Sequence, residues 1–176
     1  MLEVPDQAGR LGAMKSKHRG DRGVEIATAL FPELKPEPEG TWWNMAGIDG
    51  FLDDEAVQIK YDSAITRTGN IYHEIYEKTA GRPDQPWRVA IGKVKWYIFT
   101  TETDTEILAL KVTVNRLAEI ESGKPLTPIS PNYGARTSMG YLVPYHELKG
   151  FCELRRRSKA SKKASKAQDN RQVKEA

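Results

Sequence analysis

One cysteine, Cys152, stands in a chain of 176 residues. A single thiol cannot close an internal disulfide or build a thiolate zinc cluster, and such scarcity suits a reducing compartment. Histidine is nearly as rare. His18, His73 and His146 lie far apart and show no zinc-ligand spacing. Long apolar runs are missing as well: none approaches the ~20 residues that span a bilayer, and the N-terminus lacks the apolar centre of a secretory leader. The expectation is an intracellular protein with no membrane partner. No internal repeat is visible, which excludes solenoids and propellers.

What is present is ordinary for a globular chain, with 39% hydrophobic and 29% charged residues. That length suffices for one domain with a core of its own. The net charge of +3 conceals an asymmetry. Residues 155–176 hold nine Lys or Arg against Asp169 and Glu175, a surplus of seven that leaves the remainder near −4. Three regions are therefore expected: a disordered leader over 1–17, a folded domain over 18–152, and a basic, disordered tail over 153–176.

Periodicity places the elements. A helix is expected over 21–31, capped by Asp21 and stopped by Pro32. Strands are expected over 47–52, 56–62, 70–77, 96–101, 106–112 and 139–143. Thr113 reads as the cap of a helix through Glu121, and Pro144 opens a short helix through Lys149. Residues 81–86 and 122–136 read as loops, and 87–94 as a helix running into the next strand. The order implies an α/β (α+β) fold, a central mixed sheet flanked by helices.

The informative stretch is Gly47-Ile48-Asp49-Gly50-Phe51-Leu52 followed by Ala56-Val57-Gln58-Ile59-Lys60-Tyr61-Asp62. Alternation along the second strand puts Val57, Ile59 and Tyr61 on an apolar face and Gln58, Lys60 and Asp62 on the other. The tight turn at Asp53-Asp54 folds Asp49 back beside Gln58 and Lys60. A carboxylate, an amide oxygen and the Ile59 carbonyl can hold a hard divalent cation. A lysine two residues along the same face can stabilise charge building on a phosphate.

The pattern of Asp49, eight residues, then Gln58-Ile59-Lys60 resembles the PD-(D/E)xK nuclease superfamily, with Ile48 in place of the motif's proline. That superfamily includes restriction enzymes, archaeal Holliday-junction resolvases and some homing endonucleases. The resemblance implies a restriction-endonuclease-like core and a DNA endonuclease dependent on Mg²⁺, with Mn²⁺ as a substitute. It also implies DNA as partner, a homodimer or higher homo-oligomer, and a cytoplasmic or nucleoid-associated protein. The stretch 17–30 resembles the first helix of the resolvase-like members, which implies Glu25 as a further metal ligand. Gln58 stands where an acid is usual, as in some homing endonucleases. It removes one negative charge from the site, so a non-catalytic nucleic-acid-binding protein on the same fold is the rival expectation.

Other residues are candidates for contact with nucleic acid. Arg67, Thr68 and Asn70 form a polar turn beside the site, and Lys93 and Lys95 precede an apolar strand. Arg155, Arg156 and Arg157 begin the basic tail, which adds salt-sensitive affinity for phosphates. Asp62 is a candidate to support Lys60. Trp42, Trp43, Trp87 and Trp96 are expected to pack rather than stack on bases. His73-Glu74 lacks the second histidine of a metalloprotease helix.

Overall fold

The computed structural model describes residues 7–79, 85–86, 93–129, 136–148 and 152–159. Helix α1 (Gln7–Leu30) leads to β1 (Lys35–Pro36), the short α2 (Trp42–Met45), β2 (Gly50–Leu52) and β3 (Glu55–Tyr61). One helical turn, α3 (Ile65–Thr68), precedes β4 (Asn70–Thr79) and β5 (Gln85–Pro86). Then come β6 (Trp96–Glu102), β7 (Glu106–Thr113), α4 (Val114–Glu121) and β8 (Thr127–Ile129). β9 (Arg136–Pro144), α5 (Tyr145–Leu148) and β10 (Glu153–Ser158) follow.

The architecture is α+β. Six strands form a mixed sheet in the order β1-β2-β3-β6-β7-β10, in which β3 and β6 run parallel and the other neighbours antiparallel. β5-β4-β9-β8 form a second, antiparallel sheet. The expectation of one central sheet is corrected here. Alternation says that β4 is a strand but not which neighbour takes its hydrogen bonds, and it pairs with β9 over nearly its whole length.

Strand alternation sorts the core into two clusters, one on each face of the mixed sheet. On one face Val57, Ile59, Ile98, Ile107 and Ala109 meet Ile26, Ala27, Leu30 and Phe31 of α1 and the following residue. On the other, Tyr97, Phe99, Leu110 and Val112 meet Ile71 and Val143 of the second sheet, Leu117 of α4 and Leu148 of α5. Each fully buried Ile, Leu or Phe stabilises the fold by roughly 1.5–3 kcal/mol. α1 approaches the sheet closely at Gly23, where a Cβ would lie 3.2 Å from Tyr61 Cβ and 3.3 Å from Thr100 Oγ1.

Several boundaries differ from expectation. α1 starts at Gln7, so residues 7–17 are helical and Asp21 is an interior residue rather than a cap. The apolar stripe begins only near Val24, where the helix meets the sheet, so the earlier turns carry no periodic signal. β8 lies within the loop expected over 122–136. Residues 153–158 are not tail but strand β10, paired with β7 from Glu153 opposite Lys111 to Ser158 opposite Glu106. Thr113 caps α4 as expected, its hydroxyl accepting the Arg116 amide at 3.2 Å. The expected elements over 81–84 and 87–92, the end of the last helix at Lys149, and the leader and tail at 1–6 and 160–176 lie outside the described residues.

Candidate functional site

The hairpin β2–β3 builds the site. Asp53 and Asp54 have φ of 51° and 62°, the left-handed pair that a tight two-residue connection requires. The register pairs Gly50 with Val57, which carries position 49 across from position 58. Gly50 lets β1 press close, since a Cβ there would stand 2.7 Å from the Lys35 carbonyl oxygen. The Asp49 backbone is held twice, by Asp49 N donating to Val57 O and by Glu37 N donating to Asp49 O, each at 2.9 Å. Its carboxylate then reaches across the hairpin, where Oδ2 accepts the Ile59 amide at 2.7 Å.

Gln58 and Lys60 leave β3 on the same face as Asp49, the one turned toward the second sheet. Gln58 is buried at 8% exposure and sits level with Tyr97, while Lys60 is half-buried and level with Phe99. Burial pushes the Asp49 carboxyl above its ordinary proton affinity, and the Ile59 amide and the Lys60 charge oppose that without cancelling it. Tyr97 is pushed up to about 12 by burial and by the negative charges of Glu121 and Asp49. Its hydroxyl stays protonated near neutral pH and can only donate to an anion, not serve as a nucleophile.

A buried pair adjoins these residues. His73 Nδ1 and Glu121 Oε1 are 2.5 Å apart, joining β4 to the end of α4, and both side chains are buried. The imidazole stands edge-on to Tyr97 with ring centroids 4.6 Å apart. His73 Nε2 is buried with no hydrogen-bond partner among the described residues. The sequence reading missed this pair, for Glu121 reads only as a helix end. Its one signal was the alternation that set His73 on the face of Ile71.

Glu25 does not join the site. α1 covers the opposite face of the mixed sheet, and Glu25 is bonded there to Arg22 at 2.7 Å with its carboxylate 64% exposed. Arg22 also grips Glu102 through two bonds of 3.0 and 2.8 Å, and Lys159 reaches Glu102 at 2.7 Å. These cations hold the Glu102 carboxyl at about 2, well below the usual range. Helical spacing made Glu25 an outlying acid but could not show which face of the sheet the helix covers. Ile59 contributes its amide to Asp49 and its side chain to the α1 cluster.

The remaining candidates divide. Asp62 accepts the amides of Ala64 at 2.8 Å and Tyr72 at 3.3 Å, which ties the turn after β3 to β4. Arg67 and Thr68 are exposed on α3, and Asn70 Nδ2 donates to the Thr68 carbonyl at 3.3 Å. Lys95 pairs with Glu55 at 2.7 Å, and Lys93 lies 5.2 Å from the ring centre of Trp42. Arg155 is a packing residue: it lies 4.2 Å over the Phe31 ring, pairs with Glu33 and Glu153, and donates to the Leu30 carbonyl. Arg156 and Arg157 are exposed on opposite faces of β10. Trp42 and Trp43 do not pack away as expected; they are 60% and 44% exposed, with Trp43 edge-on to Phe51 beside the hairpin.

Among the described residues no group of three or more His, Cys, Asp or Glu stands close enough to hold a metal. Asp49 and Gln58 offer one anionic and one neutral oxygen. That set does not enclose a cation, but it suits Mg²⁺, which keeps several waters and completes its shell with substrate phosphate. A buried carboxylate of raised proton affinity would also gain from a cation beside it. Among the described residues no helix is long and apolar enough to cross a membrane. The chain matches no family model, and neither a curated protein nor a solved structure matches it significantly.

Proposed function

We propose that the chain is a metal-dependent DNA endonuclease with a restriction-endonuclease-like core, hydrolysing phosphodiester bonds in double-stranded or branched DNA. The observation that carries this reading is the hairpin register that sets position 49 opposite Gln58, with the Asp49 carboxylate aimed by the Ile59 amide and within reach of the Lys60 charge. Asp49 and Gln58 are the residues that would hold Mg²⁺ or Mn²⁺. Bound there, the cation would neutralise the scissile phosphate and make water more acidic. Lys60 stabilises the negative charge that grows on the phosphate as water adds and the sugar oxygen leaves. Exposed Trp42 and Trp43, with Lys93 over Trp42, give DNA an aromatic and cationic surface beside the hairpin. Cutting both strands would use two copies of the chain.

Supercoiled plasmid and branched DNA, incubated with the protein in Mg²⁺ or Mn²⁺, test this. Nicking that stops on chelation is expected. Lys60→Ala should reduce it by about 10²-fold or more while DNA binding is kept. One observation favours a second reading: Gln58 leaves the hairpin with a single carboxylate. Tight DNA binding without nicking in either metal would make the chain a non-catalytic nucleic-acid-binding protein.

A further inference from the structure

Three large apolar side chains stand exposed among the described residues, and two of them are neighbours, Trp42 at 60% and Trp43 at 44%. The fold holds these two indoles in place. Thr41 caps α2, its hydroxyl accepting the Asn44 amide at 3.2 Å, and the Trp43 carbonyl accepts the Ile48 amide at 3.0 Å. The two rings meet edge-on with centroids 4.7 Å apart, and Trp43 meets Phe51 edge-on at 6.0 Å. Phe51 pairs with Ala56, and alternation along β3 then puts Phe51 on the face of Gln58 and Lys60. The aromatic pair therefore flanks the face that carries the candidate site. Lys93 is exposed, with its ammonium 5.2 Å from the Trp42 ring centre. Of the carboxylates in the neighbouring loops, Glu39, Asp54 and Glu55 each stand against a lysine.

Shape and charge say what covers such a surface. An aromatic face takes another flat ring, and the ammonium beside it takes an anion. A nucleobase with its phosphate offers both. In duplex DNA the bases already cover one another, so only unpaired bases have a face to give. We propose that Trp42 and Trp43 form a stacking platform for unpaired bases, with Lys93 on the adjoining phosphate. An ammonium gains little from an exposed indole, so Lys93 turns from the ring to a phosphate at small cost. The platform needs no particular base, because every base has such a face. A further step rests on the nuclease reading: it narrows the substrate to branched DNA, cut where duplex gives way to unpaired strand.

The test measures binding of the full chain in EDTA, where cutting is off, to a labelled thymidylate single strand, a blunt duplex and a splayed fork. Fluorescence anisotropy gives the affinities. The single strand and the fork should bind more tightly than the duplex and should quench the tryptophan fluorescence. Trp42→Ala and Trp43→Ala should each weaken fork and single strand about tenfold, the usual effect of losing one base stack, and leave the duplex unchanged. Trp42→Phe, which keeps a smaller ring, should retain part of the affinity. A thermal melt of each variant separates loss of binding from loss of fold; if an alanine variant does not fold, Trp42→Phe and the quenching of the parent decide. Absent binding to the fork, equal affinity for fork and duplex, or alanine variants that lose as much on the duplex would each overturn the proposal. So would variants that bind as the parent does but lose self-association in sedimentation, for the indoles would then join two copies of the chain. Nicking of plasmid and branched DNA in Mg²⁺ is read in parallel. Nicking without fork preference overturns the platform alone, whereas fork preference without nicking supports the platform and overturns the nuclease reading.

Discussion

Asp49 carries a conflict between folding and chemistry. Its carboxyl is buried enough for proton affinity to rise, so at neutral pH the charged form costs stability. Asp49→Asn keeps an oxygen for the Ile59 amide and removes that charge. It should raise the melting temperature at pH 7, narrow that gain as pH falls through the acid range, and cut nicking by about 10²-fold or more. Melting curves across pH beside nicking rates would check both halves. Glu102 behaves in the opposite sense. Its folded value of about 2 lies below the ordinary 4.5, so its ion cluster adds stability above about 4.5 and loses it as pH falls toward 2. Glu102→Gln should flatten that part of the acid unfolding profile. The three hairpin residues were legible because alternation and a two-residue turn are local rules. The His73–Glu121 pair was not, for its partners come from β4 and α4, and nothing near either residue encodes the meeting. The Glu33 and Glu153 partners of Arg155 were not legible, because a sequence displays a charge without the carboxylates that face it.

At the scale of elements, what was legible again tracks what is local. The α4 cap at Thr113 and the register of β2 with β3 follow from neighbouring residues. The start of α1, the strand character of β10 and the assignment of β4 to a second sheet depend on distant partners. Gly23 tests the seat of α1. Gly23→Val would push branched carbons into Tyr61, Thr100 and Ile59 and should cost about 1–3 kcal/mol, measured by chemical denaturation. A smaller loss would mean that α1 can lift from the sheet without harm.

For the whole molecule, the positive charge available to any DNA partner lies partly in the described strands and partly in residues 160–176. Five Lys or Arg lie between residues 160 and 176, beyond the last described strand. A chain ending at Lys159 should keep its fold and lose about 0.9 from the slope of log affinity against log salt for each phosphate contact removed. An unchanged slope would assign all phosphate contacts to the body. The rims of the larger sheet carry a different consequence. One rim is β1, two residues long and containing a lysine and a proline; the other is β10, where three successive arginines sit. Proline cannot donate to an incoming strand, and stacking arginines against a copy of themselves would crowd like charges. Both borders of the larger sheet thus resist growth by further strands.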